Sequence, residues 1–361
     1  MLRLRLLRSF VLLIVVTAPF VVAREPSGSE SPAVSTIAFG SCAKESQRQP
    51  IWDAVLASDP DLFLFLGDNI YGDTDDMAVL RAKYARLGGV EGYQKLVEQC
   101  PVLATWDDHD YGRNDAGVEY EFKVGSQKAL LDFFESPADS PRRTRKGVYG
   151  RWFFGAEGSG RRVQVILLDS RYHRSPIPKA EKKSRPYFGP YLENTDEGAT
   201  LLGEAQWEWL ADRLREPADL RIVGTSIQAI PNGHRWEKWG NFPAERDRLF
   251  QLIRDTEANG VVFLSGDRHH SAISKVPAKG APESVGYPLF EITSSGLTQA
   301  GGGNSAEPNP YGVGEIFKKQ NFGLIRIDWE SGEVVFEVND RDGENQLKVT
   351  TRVSELVESE L

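Results

Sequence analysis

The sequence predicts an α/β fold with two mostly mixed β-sheets flanked by helices, and three observations carry that expectation. Five short apolar runs each stop abruptly in a polar cluster. Stretches with helical periodicity separate them, as expected of strands joined by crossovers. The C-terminal third changes pattern and alternates around turn signals, as antiparallel strands do.

In chain order, residues 37–39 run into Gly40-Ser41-Cys42, residues 62–66 into Gly67-Asp68-Asn69, and residues 102–106 into Asp107-Asp108-His109. Residues 163–168 then run into Asp169-Ser170-Arg171, and residues 261–264 into Ser265-Gly266-Asp267-Arg268-His269. Such continuous apolar runs suit strands buried on both faces. Helices are expected over 51–57, 77–87, 126–134, 204–215 and 245–256. Residues 289–292, 323–329 and 333–338 read as strands of a second sheet, with a turn at 340–343. Residues 172–200 and 298–320 read as long loops, which in a compact domain commonly form walls or lids of a site.

Three segments follow from composition. Residues 1–23 read as a signal peptide: Arg3, Arg5 and Arg8 form a cationic start, residues 10–16 open an apolar core, and Val21-Val22-Ala23 offers a cleavage site. Residues 24–35 are a polar leader, and 36–361 form a single catalytic domain. The expected product is exported, whether periplasmic, secreted or at the cell surface, with no membrane span after cleavage. The chain has 361 residues and a net charge of −9. That balance argues against a stable nucleic-acid complex, which needs Lys and Arg to neutralise phosphates. A phosphate-ester substrate remains compatible, because bound cations can reverse the local sign of a site. Cys42 and Cys100 are the only cysteines, and in an oxidising compartment two cysteines suggest a disulfide.

The stretch Val102-Leu-Ala-Thr-Trp-Asp-Asp-His-Asp-Tyr-Gly-Arg-Asn-Asp115 gathers carboxylates at the end of a core strand, where like charges repel. Two cations bridged by one carboxylate would offset that repulsion and activate water. Carboxylates favour hard cations, whereas imidazole and thiolate favour iron or zinc, so a mixed site is expected.

The ordered elements Ser41-Cys42, Leu66-Gly-Asp-Asn-Ile-Tyr71, Thr105-Trp-Asp-Asp-His109, Leu168-Asp-Ser-Arg171 and Ser265-Gly-Asp-Arg-His269 resemble the PhoD-type alkaline phosphatases, a branch of the calcineurin-like metallophosphoesterases. The resemblance spans roughly residues 36–349. It implies a metallophosphoesterase-type sandwich and, position by position, a set of roles. Cys42 would be a thiolate ligand of Fe3+, Tyr71 a tyrosinate ligand, and Asp68 the carboxylate bridging two metals. Asp108 would serve the second metal, with Asn114 completing a Ca2+ side, while Asp267 and His269 add ligands. His109 would lie beside the leaving group, and Arg171 would clamp a phosphate oxygen. Fe3+ and Ca2+ are the implied ions, with Zn2+ or Mn2+ as alternatives. Two departures bear on metal identity and count: Asp110 stands where the family often has Glu, and Gln228 where the superfamily often has a metal-binding His.

The expected function is an exported metal-dependent phosphoesterase that hydrolyses phosphate mono- or diesters by attack of a metal-activated hydroxide. Its substrates would be small-molecule, lipid or nucleotide phosphate esters. The alternatives are a phospholipase D- or nuclease-like phosphodiesterase and a non-catalytic calcium-binding exported protein. A structural calcium site needs neither Cys42 nor His109, which separates the last reading from the others.

Overall fold

The computed structural model describes residues 31–181, 189–302 and 307–358; the segment read as a signal peptide, 1–23, lies outside them. The first stretch lays down β1 (Thr36–Gly40), α1 (Ile51–Ala57), β2 (Leu62–Leu66), α2 (Met77–Gly88), α3 (Glu91–Gln99), β3 (Val102–Thr105), α4 (Asp108–Tyr111) and α5 (Lys123–Phe133). Next come β4 (Gly150–Phe154), β5 (Val163–Leu167), α6 (Glu204–Leu214), β6 (Leu220–Gly224), α7 (Pro243–Asp255) and β7 (Val261–Ser265). The chain closes with β8 (Ser271–Val276), β9 (Leu289–Ser294), β10 (Gly312–Phe317), β11 (Asn321–Asp328), β12 (Glu333–Asp340) and β13 (Asn345–Arg352).

The strands form two sheets, as expected. The C-terminal strands, however, do not make a second sheet of their own: β11 and β12 extend the sheet of β1, β2 and β3, and β9 lies parallel to β7 in the other. One has the order β13-β12-β11-β1-β2-β3 and the other β10-β8-β9-β7-β6-β5-β4. In the first, β1, β2 and β3 run parallel while β11, β12 and β13 add antiparallel partners. In the second, β5, β6, β7 and β9 are parallel, with β4 antiparallel at one edge and β8 and β10 at the other. Each sheet therefore carries a parallel tract whose carboxyl ends can face a common crevice.

Alternation along the strands explains the layering. Leu62, Leu64 and Leu66 join Phe39, Leu103, Val165 and Leu167 in one buried cluster between the sheets. Phe63 and Phe65 point the other way and pack with Ala38, Val102, Trp52, Leu80, Leu96 and Leu130 beneath α1, α2, α3 and α5. Helices α6 and α7 cover the second sheet through Trp207, Leu210, Leu249 and Phe250, which belong to the first cluster.

Several elements depart from the expectation. The strand expected to reach Trp106 stops at Thr105, because Asp107 turns out to open α4. The strands β4 and β8 and the helix α3 had no clear apolar signature. The expected loop 298–320 holds β10, an edge strand with no buried residue and two glycines, Gly312 and Gly314, among its six positions.

Candidate metal centre

The crevice is built from strand ends. Cys42 follows β1, Asp68 follows β2, and Asp107 and Asp108 follow β3; from the facing sheet, Arg171 follows β5, Gln228 follows β6, and Asp267 and His269 follow β7. Getting these side chains to converge requires unusual backbone. Cys42, Asp68, Asp73, Asp115, Asp267 and His269 all adopt positive φ, between 43° and 65°, in the left-handed region that non-glycine residues seldom occupy. Strain of this kind persists only where the surrounding structure enforces it, and it concentrates at functional sites. Two glycines make the approach possible. A Cβ on Gly67, which has φ +99°, would meet the Asp107 Cβ at 2.5 Å, and one on Gly266 would meet the Ser41 Oγ at 2.5 Å.

Among the described residues, ligand-type atoms gather in four overlapping groups, each within 4.8 Å: Cys42, Asp68 and His269; Asp68, Asp108 and His109; Asp107, Asp108 and Asp267; and Asp108, Asp115 and Glu237. Asp68 belongs to the first two, so it occupies the bridging position between a thiolate–imidazole side and a carboxylate side. The Tyr71 hydroxyl sits 3.0 Å from the His269 Nε2, which brings it onto the first side. The Cys42 thiol contacts the Asp68 Oδ2 at 3.4 Å and the Ser295 Oγ at 3.1 Å. The His109 ring lies over Tyr71, with centroids 4.1 Å apart, and its Nδ1 is 2.7 Å from the Asp73 carboxylate. The open part of the crevice is a cleft of ≈ 500 Å³, walled by Asp68, Asp108, His109, Asn114, Asp267 and His269 among others.

Electrostatics show how costly this arrangement is without compensation. Burial, reinforced by Cys42 and Asp108, raises the Asp68 pKa well above the carboxylate range. Burial likewise raises Asp267, with Asp107 adding to it, and pushes the Cys42 thiol up to about 12. Burial also raises the Tyr71 phenol, helped by Cys42 and Asp68. Burial alone would pull His109 down, but Asp68 and Asp73 hold it up at about 10. Asp108 goes the other way: burial opposes ionisation, yet Arg171, His109 and the Asp115 amide keep it below its usual value.

All seven expected ligands lie in or beside the crevice, Asn114 as an exposed cleft wall. Arg171 does not have the place expected of it. Its side chain is 0% exposed and engages Asp107 and Glu237. Desolvating those carboxylates demands a counterion, so the guanidinium lies beneath the cleft and cannot reach a phosphate oxygen. The disulfide is also absent: Cys42 and Cys100 are both free, with Cys42 in the crevice and Cys100 packed against the helix-side core. Gln228 hydrogen-bonds Thr293 and His234 and is not among the wall residues of the cleft. Trp239 and Phe242 are core residues, whereas Trp236 is half-exposed on the cleft wall.

Sequence reasoning missed Asp115 and Glu237. Asp115 stands at the end of the acidic stretch, seven residues past Asp108, and Glu237 follows no apolar run, so no strand end announced either. Asp110 turns out to be a clamp: its Oδ1 accepts from the Asn69 and Ile70 amides at 2.9 and 3.2 Å, and its Oδ2 from the Asp107 amide at 3.0 Å. It thereby ties the loop after β2 to the start of α4.

The comparisons with known proteins agree with this geometry. The model of the PhoD-like phosphatases matches residues 37–356. The chain belongs to the PhoD-like phosphatase family. Alkaline phosphatase D of Bacillus subtilis is 25% identical over 230 residues; the match covers 57% of this chain and 37% of that relative, so this chain matches little more than a third of its length. Among solved structures, that of PhoD is 17% identical with a TM-score of 0.69 and covers 91% of this chain and 70% of that one. A dimetal phosphatase from Danio rerio is 12% identical with a TM-score of 0.54, covering 91% of this chain and all of that one. GAP50, described as the anchor in the inner membrane complex of Plasmodium, is 13% identical with a TM-score of 0.57 and covers 89% of both chains. Fold likeness alone thus does not decide what a member does; the side chains of its site must.

For this PhoD-like chain, the donor set fits a pair of cations. One buried oxygen, the Asp107 Oδ2, has no hydrogen-bond partner among the described residues, and it belongs to a group of three carboxylates. Thiol, phenol and imidazole face one side of Asp68, and carboxylates face the other.

Proposed function

We propose that this chain is an exported, metal-dependent phosphoric ester hydrolase acting on phosphate mono- or diesters. The carrying observation is the convergence of Cys42, Asp68, Asp108, Asp267 and His269 from strand ends of two different sheets onto one cleft. Export is supported by the cationic start and apolar run within residues 1–23. Small-molecule, lipid or nucleotide esters suit a cleft of ≈ 500 Å³.

Cys42, Tyr71, Asp68 and His269 would hold an ion such as Fe3+, and Asp68, Asp108, Asp267 and Asn114 one such as Ca2+. Ions bound there supply activation of a water for in-line attack on phosphorus and neutralisation of the phosphoryl oxygens. The protein's own contribution is positional and protonic. Asp110 holds the Asp68 loop against α4, and Arg171 fixes Asp107 from below. Asp73 holds the His109 ring by its Nδ1, leaving the Nε2 to donate a proton to the departing oxygen. Lys318 adds a cation to the cleft wall.

The test is to measure bound metals in protein purified without added metal, and to assay aryl phosphate mono- and diesters with and without chelator. Hydrolysis should disappear with chelation and return with metal, and Asp108→Ala should lower it by at least about a hundredfold. Full activity in metal-free protein or in Asp108→Ala would sink the proposal.

A further inference from the structure

We infer that Trp236 is a stacking platform for a planar aromatic ring in the organic part of the ester, and so sets substrate preference at the metal cleft. This role presupposes the hydrolase reading above and narrows its substrate class. The chain has eight tryptophans. Trp52, Trp106, Trp207 and Trp239 are fully buried, and Trp152, Trp209 and Trp329 pack against the core. Trp236 is the one that stays exposed, at 42%, and it stands on the wall of the cleft.

Two loops place the indole beside the metal centre. Its neighbour in sequence, Glu237, has a carboxylate within 4.8 Å of those of Asp108 and Asp115. From the other loop, the Arg268 guanidinium lies 5.8 Å from the ring centroid, and Arg268 stands between the ligand candidates Asp267 and His269. An ester whose phosphorus sits at the centre can therefore lay its organic part on the indole. Arg268 does not compete for the phosphate, because its Nη2 is engaged by both Glu307 oxygens, at 3.0 and 3.1 Å. Its charge is spent on the carboxylate and on the face of the ring.

A platform helps binding most when nothing must be ordered as the ligand arrives. The Trp236 amide donates to the His234 Nδ1 at 3.2 Å, which leaves the His234 proton on Nε2 to be donated to the Gln228 Oε1 at 2.9 Å. The Gln228 amide in turn donates to the Thr293 Oγ1 on β9, at 2.8 Å. On one side of Trp236, the Arg235 carbonyl accepts from the Tyr191 amide at 2.9 Å. On the other, Arg171 and Arg174 grip Glu237. Three consecutive residues are thus pinned while the indole alone faces solvent. Stacking of a planar ring on such an indole strengthens binding by about tenfold or more.

Two pairs of esters test the role in the metal-loaded protein: adenosine 5′-monophosphate against ribose 5-phosphate, and 2-phenylethyl phosphate against butyl phosphate. Within each pair the leaving group is a primary alkoxide, and the pair differs by the ring. At least one ring-bearing ester should be preferred about tenfold or more in kcat/KM, through a lower KM. A preference in the first pair identifies a nucleoside, and one confined to the second a short aromatic alcohol. Trp236→Ala should bring the ratio to about one, and Trp236→Phe, which keeps a stacking face, should retain most of it. Because each ratio is taken within one preparation, a partly misfolded fraction cancels. Equal handling of both members in both pairs, or a preference that survives Trp236→Ala, would overturn the role. Should the loaded protein hydrolyse none of the four, that failure counts against the hydrolase reading, and calorimetric titration with the same esters gives the same ratios as affinities, with the same two outcomes deciding the role of Trp236.

Discussion

His109 and Arg171 show how burial divides chemistry from support. Both stood as candidates for direct contact with substrate, yet one lines the cleft and the other is sealed beneath it. Replacing His109 by Asn should slow hydrolysis of esters with poor alkoxide leaving groups by about 10² to 10⁴-fold. Nitrophenyl esters, whose leaving group needs no proton, should lose far less; equal losses on both would remove the acid role from His109. Arg171→Leu makes the opposite kind of prediction. It strands the Asp107 carboxylate without a counterion and leaves Glu237 only Arg174, and urea unfolding should register a loss of about 3–5 kcal/mol. An arginine that clamped phosphate would instead raise KM and leave stability alone. The cysteines divide the same way: Cys42 has polar partners at the strand ends, while Cys100 sits with aliphatic and aromatic neighbours.

Single elements aim these residues, and the three-residue spacing from Asp107 to Asp110 is the clearest example. Asp107 opens α4, and Asp110 reaches back to the Asp107 amide while holding Asn69 and Ile70 in the neighbouring loop. Asp110→Asn replaces one acceptor oxygen with a donor that faces an amide donor. The variant should lose about 1–3 kcal/mol in denaturant unfolding and bind less metal per chain. An unchanged midpoint together with full metal content would show that the clamp does not matter. Elements of this kind also explain what the sequence could reveal. Residues 62–66 and 261–264 are apolar throughout because both faces are covered, so their strands, and the polar residues after them, were legible. The edge strands β4 and β10 lack the continuous buried run of the central strands: the middle three residues of β4 are half-buried, and β10 has no buried residue. Glu237 was invisible for a related reason. It sits in a loop and reaches Asp108 only because Arg171 and Arg174 hold it there, a tertiary arrangement without local signature.

Across the whole molecule, the crevice belongs to neither sheet, and its protonation state depends on what fills it. Without metal, burial keeps the Cys42 thiol protonated up to about 12 and the Tyr71 phenol protonated as well. Metal ligation requires their deprotonated forms, so the loaded protein holds fewer protons than the chelated one. Raising pH must then favour loading, by about 1.4 kcal/mol per pH unit for each proton released. The thermal shift on adding metal should therefore grow from mildly acidic to mildly alkaline buffer, and calorimetry in buffers of different ionisation enthalpy should detect the released protons. A pH-independent shift would mean that neither group ligates. The convergence of strand ends has a mechanical side too. Cys42 and Asp68 hang from one sheet and Asp267 and His269 from the other, so an ion gripped by both sets is a rivet through the sandwich. Stripping it should loosen the seam between the layers before either layer melts, and amide exchange should quicken first along the facing ends of β1, β2 and β7.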